Sequence, residues 1–117
     1  MKIASILEYR DEDELFEMSN ITPKRSGLQV SVWVREKNEG LQHGCSIKVS
    51  NIAGKFSPDN FSVSVTQNPK VIAGKCKLKK VVLDDIIDWV KLNRRPLLDL
   101  WESKIDIGEF LEKMKKL

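Results

Sequence analysis

Histidine is nearly absent from this chain: His43 is the only one in 117 residues. Any catalytic scheme built on an imidazole base must use it, and no third group stands ready in the sequence to orient it. Cysteine is scarce as well. Cys45 and Cys76 are the only two, with no C-x-x-C pair. Together with His43 they supply three soft ligands where a structural zinc normally takes four, so no metal and no cofactor is expected. Apolar runs are only a few residues long, which excludes a spanning helix and predicts no membrane association. Met1 and Lys2 are followed within a few residues by Glu8, too short and too soon charged for a secretory leader. The expectation is a cytoplasmic protein in which both thiols stay reduced. No stretch repeats and none is of low complexity.

What is present is an ordinary globular composition, 41% hydrophobic and 32% charged. That is enough apolar surface to offset the ordering entropy of one domain covering residues 1–117. The formal net charge of +3 is too small to mark a nucleic-acid binder by itself.

Hydrophobic periodicity changes once along the chain, near residue 80. Before it, the pattern alternates. Residues 2–9 do so loosely and suit an edge strand. Residues 11–27, with the charge run Asp11-Glu12-Asp13-Glu14, read as a long irregular connection with a helical turn at Leu15–Met18. Such a connection is either functional or a strap pinned by Phe16, Met18 and Ile21. Leu28, Val30, Val32 and Val34 alternate with polar residues, as do Cys45, Ile47 and Val49, and Phe61, Val63 and Val65. Each set predicts a half-buried strand, the first two forming a hairpin across residues 36–40. Residues 71–78 predict a further strand, bent at Gly74.

After residue 80 the spacing becomes helical. Val82, Leu83, Ile86, Val90 and Asn93 mark a first helix, which Pro96 ends or kinks. Leu97, Leu98, Leu100 and Trp101 mark a second. Asp106 with Glu109 has capping-box spacing, and Ile107, Phe110, Leu111, Met114 and Leu117 carry a third helix with a lysine-rich end suited to its dipole. Strands first and helices last predict an α+β fold. The sheet, of four to five antiparallel strands, occupies residues 1–79. Two or three helices from residues 80–117 pack on one face.

Little in this pattern carries chemistry. Asp84, Asp85 and Asp88 cluster at the first helix, where solvation, and a helix N-terminus for Asp84 and Asp85, suit them better than a hard-metal loop. The cations are more informative. No acid occurs from Asn60 to Leu83, yet Lys70, Lys75, Lys77, Lys79 and Lys80 all do; Lys24-Arg25 and Arg94-Arg95 add two basic pairs. If these converge, one face is positive and suits an acidic protein or a nucleic acid. Stacking aromatics are missing among them. An edge strand guarded by lysines explains Lys75, Lys77 and Lys79 equally well. Trp33 stands on the polar side of its strand. Either helices cover that side, or Trp33 is exposed and anchors a protein interface. The candidate binding residues are therefore Lys24, Arg25, Trp33, Lys75, Lys77, Lys79, Arg94 and Arg95, with no catalytic residue assigned.

The segment Thr22-Pro23-Lys24-Arg25-Ser26-Gly27-Leu28, followed by Val32-Trp33-Val34, resembles a group of short bacterial proteins of unknown function. So do His43 with Lys48-Val49-Ser50, and Trp89, Asn93, Leu97 and Trp101 leading to Ile105-Asp106. The C-terminal third is also similar to small proteins linked to toxin–antitoxin loci. Those carry a histidine-rich strand segment, where this chain has His43 alone. The resemblance implies an accessory or antitoxin-like component of a phage, mobile-element or defence locus. The expected function is binding of another macromolecule, a protein first and a nucleic acid as the alternative, as monomer or homodimer. A small hydrolase or nuclease using His43 ranks last.

Overall fold

The computed structural model describes residues 18–36, 44–53 and 57–117. Five strands precede three helices: β1 (Ser19–Ile21), β2 (Val32–Val34), β3 (Ser46–Ser50), β4 (Asn60–Ser64) and β5 (Val71–Gly74), then α2 (Lys80–Leu92), α3 (Arg94–Trp101) and α4 (Ile107–Lys113). A single-turn helix, α1 (Pro23–Ser26), follows β1. The strands form one antiparallel sheet in sequence order, β1-β2-β3-β4-β5, so each pairs with its chain neighbours. This is the α+β arrangement that strands followed by helices demand.

Register divides the sheet into two faces. Ile21, Val32, Val49 and Phe61 stand opposite one another in turn, with Ile47 beside Val63. These apolar residues form the inner face and are buried with Trp89, Ile86, Leu97, Leu100 and Phe110 of the helices. Successive side chains alternate across a strand, so the next row, Asn20, Trp33, Lys48, Ser62 and Ala73, lies on the outer face. In α2 the buried residues are Val82, Ile86, Trp89 and Val90, the stripe that a period of 3.6 residues aligns. No helix among the described residues is long and apolar enough to cross a membrane.

Several expectations change in detail. Residues 11–27 hold β1 and α1 in their described part, not an irregular connection throughout. β1 is only three residues long and escapes a periodicity test. The strand expected from Leu28 begins at Val32, although Ser31 O still accepts from Ser50 N at 3.2 Å. β5 ends at Gly74, whose φ is +74° and whose missing Cβ would lie 2.8 Å from Asn60 O. The break between α2 and α3 falls at Asn93, before Pro96. Pro96 then sits in the first turn of α3, where a missing N–H costs least. Asp84 and Asp85 lie in the second turn of α2, not at its N-terminus; Asp84 pairs with Lys80 instead, at 2.9 Å. The capping box forms as its spacing predicts: Asp106 Oδ1 accepts from Glu109 N at 2.7 Å, and Glu109 Oε1 accepts from Asp106 N at 3.2 Å. The edge strand at 2–9, the helical turn's residues 15–17 and most of the hairpin turn lie outside the described residues.

Candidate functional site

The largest departure from the sequence pattern occurs at the end of α4. The helix stops at Lys113, and Met114 turns extended, with ψ 147°. Neither glycine nor proline is there to stop it. Residues 114–117 instead run as a strap, and Asn93 is what holds them. Its side chain is fully buried. Nδ2 donates to Lys115 O at 2.9 Å and to Trp89 O at 3.1 Å, while Oδ1 accepts from Lys115 N at 2.6 Å. The Asn93 amide thus reads both main-chain groups of Lys115, a two-way match that no apolar residue could make. Further along, Leu117 N donates to Ser26 O at 2.8 Å.

The α1 segment is shaped to receive this strap. Pro23 starts the turn, and Gly27 ends it in the left-handed region with φ +83°. A Cβ at Gly27 would meet Leu117 O at 2.7 Å and Lys116 Cγ at 3.0 Å. Only glycine satisfies both the backbone angle and the close approach. Ser26 is fully buried, and its hydroxyl accepts from Leu28 N at 3.0 Å, fixing the exit of the turn. Asn93 and the Ser26-Gly27 pair, far apart in sequence, form one clasp.

The clasp gathers charge. Lys24 and Arg25 are carried by α1, Arg94 and Arg95 follow Asn93 directly, and Lys115 and Lys116 lie on the strap. Arg95 pairs with Asp99 at 3.4 Å. Lys24, Arg25, Arg94, Lys115 and Lys116 form no ion pair among the described residues. Two exposed leucines accompany them: Leu92, 44% exposed, precedes Asn93, and Leu117 is 46% exposed. The segments joined at the clasp thus carry both cations without an ion pair among the described residues and exposed apolar side chains. Lys115 and Lys116 were read from sequence only as the charged end of a helix; their part here depends on a contact between Asn93 and main-chain atoms, which leaves no pattern in residue types.

The remaining candidate residues are placed elsewhere. Lys75, Lys77 and Lys79 follow β5, the opposite edge of the sheet from β1. Four strand spacings separate those edges, roughly 19 Å. The two basic groups therefore do not merge into one patch. Asn51 fastens this second segment by donating to Lys75 O at 2.9 Å and accepting from Lys77 N at 2.8 Å. Lys77 Nζ pairs with Asp59 at 2.9 Å, and that bond, helped by Asn51, holds the Asp59 carboxyl below its usual range. The lysines also flank an edge strand whose pairing is irregular between Ser62 and Val63, a device that discourages added strands.

Trp33 is 2% exposed and packs with Met18 on the outer face. It is neither covered by the helices, which lie on the inner face, nor available as a surface anchor. Beside it a cavity of about 190 Å³ is lined by Met18, Arg35, Ser46, Lys48, Ser62, Ile72 and Ala73. Among the described residues its lining holds no acid or imidazole to act as a base. Cys45 is a core residue: its thiol donates to Leu97 O at 3.8 Å, and burial, reinforced by Glu102, pushes its pKa up to about 12. Such a thiol is not a nucleophile. Among the described residues no three histidine, cysteine or acidic side chains cluster as metal ligands. His43 lies outside the described residues. Comparison with protein-family models, curated proteins and solved structures finds no match for the chain.

Proposed function

We propose that this is a small non-catalytic protein that binds another protein, and that the surface around the Asn93 clasp is where it does so. One observation carries the reading: the clasp joins the segments that carry Lys24, Arg25, Arg94, Lys115 and Lys116, which form no ion pair among the described residues, and the exposed leucines Leu92 and Leu117. Cations alone would suit any polyanion. Apolar side chains among them favour a protein, because desolvated apolar contacts supply most of the energy at such interfaces. The resemblance of the sequence to small toxin–antitoxin-linked proteins supports an accessory role in a phage or defence locus. Two free cysteines, Cys45 buried and Cys76 half-buried, accord with a cytoplasmic location.

The alternative is a nucleic-acid-binding module on the same cations. A glutamate-rich peptide carrying two leucines, a copy with those leucines changed to serine, and a DNA duplex separate the two readings. The protein reading expects the leucine peptide to bind best and Leu92→Ser to weaken it. Equal binding of both peptides, with tight DNA binding that falls steeply with salt, would replace it with the nucleic-acid reading.

A further inference from the structure

Part of the proposed docking surface is carried by the strap. Half-buried Met114 packs against the core at the start of the strap, and Lys115, Lys116 and Leu117 beyond it are exposed. Beyond Met114 the attachment is main-chain hydrogen bonding to Asn93 and Ser26. Docking also brings the Lys115 main chain to Asn93, next to Arg94 in sequence, and the strap's end to the turn that carries Lys24 and Arg25. The Lys116 stem passes directly over Gly27, two residues from Arg25. Like charges inside one Debye length, about 10 Å at 0.1 M salt, repel. Docking the strap therefore adds two cations to a part of the surface that already carries Lys24 and Arg25.

Resting on the protein-binding reading above, we infer that the partner supplies an acidic segment that bridges the strap and the body, so that partner binding and strap docking are coupled. A carboxylate-rich segment spanning Lys115-Lys116 and Lys24-Arg25 cancels the repulsion that opposes closure. By linkage, whatever favours the closed strap favours binding, and the reverse. The coupling gives salt two opposite effects. Screening relieves the repulsion and tightens the free strap, while it weakens the partner's attraction.

Hydrogen exchange at the Lys115 and Leu117 amides reads the strap directly, with polyglutamate as the probe. Saturating polyglutamate at low salt should slow exchange at both amides severalfold, with little change at amides of β3 and β4. Raising salt without the probe should slow the same two amides, while polyglutamate affinity falls. A chain lacking residues 114–117, checked for an intact core by its near-ultraviolet spectrum, should bind the probe several times more weakly. Gly27→Ala, which blocks the strap and strains the turn before it, should do the same, with the near-ultraviolet spectrum again checking the core. Full-strength binding by the truncated chain, or unchanged exchange at Lys115 and Leu117 when the probe is bound, overturns the coupling. The protein-binding reading survives that result if Lys24→Glu with Arg25→Glu still abolishes binding, and falls with it if they do not. Protection by a DNA duplex but not by polyglutamate overturns the acidic-segment partner.

Discussion

Replacing Asn93 by alanine tests the clasp as a stabilising device. The substitution removes three hydrogen bonds: two to the main chain of Lys115 and one to Trp89 O. A neutral hydrogen bond contributes roughly 0.5–1.5 kcal/mol net, so the three bound the loss at about 1.5–4.5 kcal/mol. Two features bring it toward the lower half. Trp89 O keeps its bond from Asn93 N, and Lys115 is exposed, so water satisfies its main chain once the strap lifts. The expected cost is about 2–3 kcal/mol. At a chain length of 117 residues this lowers the thermal midpoint by roughly 8–12 °C. Circular dichroism melting measures the shift, and exchange at the Lys115 amide shows whether the strap has come loose. A variant that melts with the wild type while its strap stays protected would refute the assignment of Asn93 as the fastener.

Three other perturbations test separate parts of the fold. Phe110 is fully buried against the inner face, so Phe110→Ala should cost about 3–5 kcal/mol in chemical denaturation; a loss under about 1 kcal/mol would mean that α4 is peripheral. Ser103 holds φ +59° in the turn after α3, where glycine carries no Cβ penalty, so Ser103→Gly should raise the denaturation midpoint by an amount equivalent to about 0.5–1 kcal/mol, and a lowered midpoint would contradict that geometry. At neutral pH a disulfide reagent should modify Cys76 quickly and Cys45 only at the rate of unfolding. The Cys45 thiol stays protonated in the fold up to about pH 12, whereas the unfolded thiol ionises from an ordinary value of 9.0. Its contribution to stability is complete below pH 9 and is lost as pH rises toward 12. A Cys45→Ala variant should therefore show a shallower decline over that alkaline window, and an identical decline would sink the argument.

The inner face was legible because its residues repeat. Val32, Val34, Ile47, Val49, Phe61 and Val63 alternate, and Val82, Ile86, Trp89 and Val90 recur at helical spacing, so periodicity alone orders strands before helices. β1 was not legible, because Ser19-Asn20-Ile21 is too short to show a period and is strand only by pairing with β2. The end of α4 was misread for a different reason. Met114 and Leu117 continue the apolar stripe, and local propensity favours helix through residue 117. The bonds that Lys115 makes to Asn93 replace the next helical turn, and they come from 22 residues away. The candidate site shares this origin. Its basic pairs were visible as residues, but the contact that unites Lys24-Arg25 with Arg94 runs through main-chain atoms of the strap. Lys75, Lys77 and Lys79 looked equally basic, and only the strand order separates them from the clasp.

The central claim is that the clasp surface docks an acidic protein segment, and chemical-shift mapping tests it most directly. Titrating the isotope-labelled chain with the leucine-bearing glutamate peptide should shift amides of residues 23–27, 92–95 and 113–117 together, with one binding curve. Shifts concentrated instead at residues 70–79, or spread evenly over every exposed lysine, would contradict the account.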